Sequence, residues 1–193
     1  MEIRERILNA GRELARLQGF YNMSMDKLAA HAGVSKRTIY RYFRSKEGFI
    51  EAVLDEFMEQ MAKEAEVARA TISEPHLFFA HMSRNLFLRG QFLINNLVLD
   101  DLSKHYPHLW QKLDVFRTEQ ISHTITVLME RTDNRLIKEI NPLIFSTMIV
   151  ACIKAVLNPD FILENQLSFE ECVQQMSKLF VAAFYPHEES PGE

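Results

Sequence analysis

The sequence predicts an all-α chain of about nine helices, in which three short N-terminal helices holding a helix-turn-helix precede a larger helical domain. Three observations predict this. Apolar residues recur at spacings of three and four along most of the chain, the period of one helix face. Six Gly and six Pro among 193 residues are too few for a fold of many short strands and turns. Ser or Asn, often followed by Pro or by an acid, stands before most periodic stretches, as helix N-caps do.

The elements follow in order. Residues 2–18 place Ile3, Ile7, Ala10, Leu14 and Leu17 on one apolar face, and Gly19 is expected to close the helix in the left-handed conformation. Ser24 caps a second helix, 25–32, with Met25, Leu28 and Ala29 inward, and Gly33 breaks it. Ser35 caps a third, reaching about residue 42. Ser45 caps a long fourth helix to about residue 69, with Phe49, Val53, Phe57 and Met61 spaced by four. Glu74-Pro75 opens a fifth helix, residues 91–103 make a sixth, and Pro107 opens a seventh that reaches about residue 131. Asn141-Pro142 starts an eighth, which Asn158-Pro159 stops. Ser168 and Glu171 form a capping box for a ninth, whose stripe is Phe169, Cys172, Val173, Met176, Leu179, Phe180 and Ala183. The expected domains are 1–46 and 47–186, with a disordered tail at 187–193.

Charge is unevenly placed. The net charge is -4, yet residues 1–50 hold ten Lys or Arg against five acids, a net of +5, which leaves −9 for the remainder. A basic head on an acidic body suggests one polyanion-binding end. Cys152 and Cys172 form no C-x-x-C pair, so neither a disulfide framework nor a zinc site is indicated. The N-terminus has no apolar signal region. The longest apolar stretch, 142–157, is interrupted by Lys154 and falls short of the roughly 20 residues of a membrane span. A cytoplasmic protein without a membrane segment is expected.

The informative run is SMDKLAAHAGVSKRTIYRYFRSKEGFIEAVL, from Ser24. Leu28, Ala29, Val34, Ile39 and Phe43 can lock two short helices onto the first. Left outside are Ser35, Lys36, Arg37, Thr38, Tyr40, Arg41, Tyr42 and Lys46, a face of hydroxyls, phenols and cations that suits phosphates and base edges. Lys36 and Arg37, at the start of the third helix, are best placed for a major groove. Thr38 suits a thymine methyl or a phosphate, and Tyr40 and Tyr42 can donate to phosphates. Lys46 and Ser24 each stand at a helix N-terminus, which favours a phosphate. A merely solvated basic face is the bland alternative, outweighed because turn, caps, core and basic face agree.

The same run closely resembles the signature of the TetR (tetracycline-repressor) family, A-G-V-S followed by T-hydrophobic-Y-x-Y/H-F-x-x-K and the start of a long helix. The matching residues are Ala32, Gly33, Val34, Ser35, Thr38, Ile39, Tyr40, Tyr42, Phe43 and Lys46. The resemblance covers about residues 3–55 and nothing recognisable after residue 60. It implies a homodimer on double-stranded operator DNA, contacts at Ser24, Lys36, Arg37, Thr38, Tyr40, Tyr42 and Lys46, and a C-terminal ligand-binding and dimerisation domain that holds a small-molecule effector. Repression is the family's usual output.

Beyond the motif the expectations rest on composition. The eighth helix is apolar nearly all round, so the eighth and ninth helices are expected to pair across a two-fold axis into a four-helix bundle; covering by the chain's own helices is the alternative. An effector site is expected among Met61, Phe78, Met82, Phe92, Leu99, Trp110, Phe116 and Met148, with Asn95, Asn96, Gln120 and His123 as polar contacts. For each of these, plain core packing is the competing role. Asp100, Asp101, His105 and His108 cluster in sequence, but they straddle a helix break and are read as surface residues rather than a metal site. G-x-S-x-G, H-E-x-x-H and a phosphate-binding glycine loop are all missing, so neither an enzyme nor a cofactor is expected.

Overall fold

In the computed structural model, which describes residues 2–93 and 95–184, the described residues form eleven helices and no strand. They are α1 (Ile3–Gln18), α2 (Met25–Ala32), α3 (Lys36–Phe43), α4 (Lys46–Thr71), α5 (Pro75–Arg89), α6 (Asn96–His105), α7 (Pro107–Arg131), α8 (Arg135–Glu139), α9 (Pro142–Val156), α10 (Pro159–Glu164) and α11 (Phe169–Phe184). The all-α class and the N-terminal helix-turn-helix are as the sequence predicts. The tail expected to be disordered, 187–193, lies outside the described residues.

The caps explain most boundaries. Ser24, Asn141 and Ser45 receive the N–H groups of Lys27, Leu143 and Gly48 on their side chains. Ser168 and Glu171 form the reciprocal box: the Glu171 carboxylate accepts the Ser168 N–H (2.9 Å) and the Ser168 hydroxyl accepts the Glu171 N–H (3.1 Å). The Ser168 N–H and, at 2.8 Å, the Ser168 hydroxyl both donate to the Glu171 carboxylate and hold it below the usual carboxylate range. Two short helices were not anticipated. Asn134 caps α8, and Asn158-Pro159, read only as a stop, also starts α10, with the Asn158 side chain accepting the Asp160 N–H. The sixth helix begins later than expected because the Asn95 side chain caps it, accepting the Leu97 N–H (2.9 Å), while residues 91–93 form a turn.

The first helix keeps Ile7 and Ala10 of the expected face inward but rotates that face toward Leu8, Gly11 and Ala15. Leu17 is 68% exposed and Ile3 40%, whereas Ile7, Leu8, Ala10, Gly11 and Ala15 are buried. The reason is Phe49 of α4, whose ring lies where Gly11 has no side chain: a Cβ there would stand 2.0 Å from the ring. Gly19 has positive φ (76°) but extended ψ (170°), so it is not the left-handed cap expected, although its N–H still reaches the Ala15 carbonyl.

Packing divides the chain into two compact units: residues up to Lys63 with Asn85–Arg117, and Glu64–Arg84 with the described residues from Thr118 onward. The partition expected from sequence, 1–46 against 47–186, follows the motif instead; the packing units cut through α4, α5 and α7. The first unit buries Ile7, Leu8, Phe20, Leu28, Ile39, Phe49, Ile50, Leu54, Leu102 and Leu109 almost completely. The second is built on Phe78, Ile125, Leu128, Met129, Ile137, Phe145, Ile149 and Phe184. At its edges the Thr132 hydroxyl and the Asn134 amide donate to the Phe184 and Ala183 carbonyls, satisfying acceptors that the end of α11 leaves open.

Candidate nucleic-acid interface

The interface is the pair α2 and α3 with the loops on either side. Gly33 adopts the left-handed conformation (φ 64°, ψ 38°) and returns its N–H to the end of α2. The Arg6 guanidinium, from α1, clamps the same turn by donating to the Ala32 (2.8 Å) and Gly33 carbonyls. Ser35 opens α3: its hydroxyl accepts the Thr38 N–H (3.0 Å) and shares a hydrogen bond with the Thr38 hydroxyl (2.8 Å). Ile39 and Phe43 are the buried side of α3, and Phe43 packs edge-on to Phe49 with ring centroids 5.2 Å apart.

Everything else on α3 faces outward. Lys36, Arg37, Tyr40, Arg41 and Tyr42 are exposed, as are Ser24 and Ser35, while Thr38 and Lys46 are half-buried. All eight sequence-predicted residues therefore lie on or beside the exposed side of α2 and α3. Two cations are already oriented. The Lys36 ammonium sits 2.9 Å from the Asp26 carboxylate on α2, and this hydrogen bond raises its pKa above the ordinary lysine value. The Lys46 ammonium donates to the Tyr21 carbonyl (2.6 Å) and lies over the Tyr21 ring; burial pushes its pKa down, with the Asp101 charge opposing. An ammonium has three donors, so one bond to a carbonyl leaves two for a phosphate.

Sequence reasoning missed four residues that shape this surface. Arg6 gave no signal, since its partners lie 26 and 27 residues away. Arg44 takes positive φ (61°) where the chain turns from α3 into α4. Gly48 was legible only as one more helical position, yet a Cβ there would come 2.5 Å from the Phe43 carbonyl oxygen. Asp101 was weighed with a metal cluster and instead accepts the Tyr21 N–H (2.8 Å).

With that geometry in place, known proteins can be compared. Residues 7–53 match the model of bacterial regulatory proteins of the tetR family. That match spans the helix-turn-helix and the start of α4, and the chain as a whole resembles transcription regulators. The relatives and the folds it resembles are those of transcription regulators. It is 29% identical over 175 residues to the HTH-type transcriptional regulator YvaF of Bacillus subtilis, covering 89% of this chain and 90% of that one. The HTH-type regulator UidR of Escherichia coli is 41% identical over 51 residues, 26% of each chain. Among solved structures, a TetR transcription regulator from Haloarcula marismortui superposes with TM-score 0.71 at 13% identity, over 94% of this chain and 97% of that one. The reduced form of Escherichia coli NemR gives 0.66 at 20% identity, over 95% and 97%. At such identities these two show the fold alone.

The TetR-family effector candidates fall in both packing units. In the first, Met61, Phe92 and Leu99 are buried, and Asn95, Asn96, Trp110 and Phe116 are half-buried. Phe92 packs edge-on to Phe20 and Phe57. Asn95 is engaged twice, capping α6 and donating to the Arg16 carbonyl. In the second, Phe78 is core and Met82 packs against it. Gln120 accepts from Arg69, His123 is exposed, and Met148 is 60% exposed. The four acids and histidines weighed for metal are each engaged with other residues: Asp100 with Lys104, Asp101 with the Tyr21 N–H, His105 with the Tyr21 ring and His108 with Glu47.

Proposed function

We propose that this TetR-family regulator is a ligand-responsive repressor that binds a pseudo-palindromic operator as a homodimer and is released by a small, largely apolar effector. The observation that carries the DNA half is the exposed cationic and phenolic face of α3, held by caps at Ser24 and Ser35 and by the Arg6 clamp. Ser24, Ser35, Lys36, Arg37, Thr38, Tyr40, Tyr42 and Lys46 are assigned to DNA. Lys36 and Arg37 meet base edges because a recognition helix enters the major groove by its N-terminal residues. A cytoplasmic location follows from that partner; among the described residues no helix is long and apolar enough to cross a membrane.

The homodimer is supported by what is left uncovered. On α9, Leu143 is 73% exposed, Ile144 57% and Met148 60%, with Ala151, Cys152 and Ala155 exposed on the following turns. On α11, Leu179 is 70% exposed. The inward residues Phe145, Ile149 and Val150 are buried, so one stripe of an all-round apolar helix is covered by the chain and the other faces water. Exposed apolar residues of this kind suit an interface, and a second copy of the same helices would cover them in a four-helix bundle. Two copies would also present two α3 helices to two half-sites. This assignment places Met148 in the dimer interface rather than in an effector site.

Effector release would act by population shift: ligand favours a conformation whose two α3 helices no longer match the half-site spacing, with the long α4 carrying the motion. Selection of duplexes from a random pool, followed by a compound screen for release, tests the whole reading. The expected result is a palindromic site and at least one releasing compound. A DNA-binding assembly protein without a ligand is the second reading, favoured by the internal engagement of Asn95 and Gln120. It would be supported if the selected duplex binds and no compound in a thermal-shift screen stabilises the protein.

A further inference from the structure

Between α1 and α2 the chain crosses five residues, from Gly19 to Met23, without regular structure, immediately before the DNA-facing Ser24. Phe20 and Met23 anchor it in the core, and between them Tyr21 is exposed and needs another hold. Here it lies against α6, a helix far away in sequence. The Asp101 carboxylate, 9% exposed, accepts the Tyr21 N–H at 2.8 Å. Gly19, with φ +76°, passes so close that a Cβ on it would stand 2.2 Å from the same carboxylate oxygen. The Tyr21 ring stacks on His105 of the same helix, centroids 3.8 Å apart and 16° from parallel. The residue thus fastened presents its carbonyl, in the next peptide unit, to the Lys46 ammonium at 2.6 Å.

We propose that Asp101 is a positioning residue for DNA binding: by holding the Tyr21 peptide it fixes the loop that orients the Lys46 ammonium and delivers Ser24 to the duplex. The chain of contacts is short and directional. The carboxylate takes the N–H of residue 21, the carbonyl of the same residue takes the ammonium, and three residues on stands the Ser24 hydroxyl. Asp101 touches no nucleic acid; it acts through Tyr21 and Lys46. The sign of the effect separates this role from plain electrostatics. An anion close to a phosphate-binding ammonium weakens DNA binding by charge alone, so its removal would tighten binding. A positioning role predicts the opposite.

The inference rests on the proposed assignment of Lys46 to a DNA phosphate, and the test distinguishes the two. The probe is a duplex selected from a random pool by the full-length wild-type protein, titrated at several salt concentrations with wild type, Asp101→Ala, Asp101→Asn, Lys46→Ala, the double variant Asp101→Ala/Lys46→Ala, and Val98→Ala. Val98 is fully buried on α6 and serves as a matched packing loss. Asp101→Ala should weaken binding about tenfold, and should add less than about twofold in the Lys46→Ala background, the signature of residues acting as one unit. Asp101→Asn keeps an acceptor oxygen for the Tyr21 N–H and should recover part of the loss, while remaining folded by circular dichroism. Val98→Ala should bind within about twofold of wild type. Unchanged or tighter binding by both Asp101 variants, or fully independent effects of Asp101→Ala and Lys46→Ala, overturns the inference and leaves the DNA assignment standing. Lys46→Ala binding with the wild-type salt slope overturns both.

Discussion

The helix-turn-helix and the α9–α11 region expose opposite chemistries. Around α3 the outward residues are cations, phenols and hydroxyls, on helices held by caps, a clamp and a core that includes Leu28, Ile39 and Phe49. On α9 and α11 the outward residues include Leu143, Ile144, Met148 and Leu179, beside a well-packed core centred on Phe78 and Phe145. The difference teaches what each surface waits for. A solvated polar face is stable alone and can trade water for phosphate, whereas an apolar one gains by meeting a surface like itself.

The largest effect should come from spoiling the apolar side. Ile144→Glu with Leu179→Glu should raise the dimer dissociation constant by at least about a hundredfold, roughly 3 kcal/mol, because charges would be buried unpaired. Sedimentation should show a folded monomer, and binding to a two-half-site duplex should fall while the helix-turn-helix is untouched. A dimer that survives would move the interface elsewhere. Next is Gly11→Ala. An alanine in a helix interior is ordinarily favourable by about 0.5–1 kcal/mol. Here it meets the Phe49 ring, so urea unfolding should report a loss of about 1–3 kcal/mol.

Smaller effects sharpen the polar side. Arg37→Ala should cost roughly 1–3 kcal/mol at one base position and relax the preference there, read by competition among single-base variants of the selected site. An unchanged preference would remove Arg37 from base reading. Ser35→Ala should cost about 1 kcal/mol of stability through the lost cap, visible as a lowered melting temperature. Lys46→Ala should reduce the slope of log affinity against log salt by about one unit, at every sequence tested.

Much of the polar surface of α3 was legible in the sequence because its determinants are local. Ser24, Gly33 and Ser35 act within three or four residues of themselves, and the 3.6-residue period of Leu28, Ile39 and Phe43 separates inside from outside without reference to the rest of the chain. The capping box at Ser168 and Glu171 was readable for the same reason. The surroundings of the expected effector residues were not. Asn95 and Gln120 looked like polar groups available to a ligand, but their partners, the Arg16 carbonyl and Arg69, lie 79 and 51 residues away.

Sequence alone therefore determined the all-α class, most helix boundaries and the outward residues of α3, because hydrogen-bonded caps and helical periodicity are properties of short stretches. Tertiary structure decided which face of α1 is buried, since Phe49 selects the stripe that includes Gly11 over the one that includes Leu17. It decided that Asp101, expected at the surface, is buried against the Tyr21 N–H, and which half of α9 is left to face water. Each of those outcomes depends on which distant side chain arrives at a surface, and a periodic pattern carries no information about its partner.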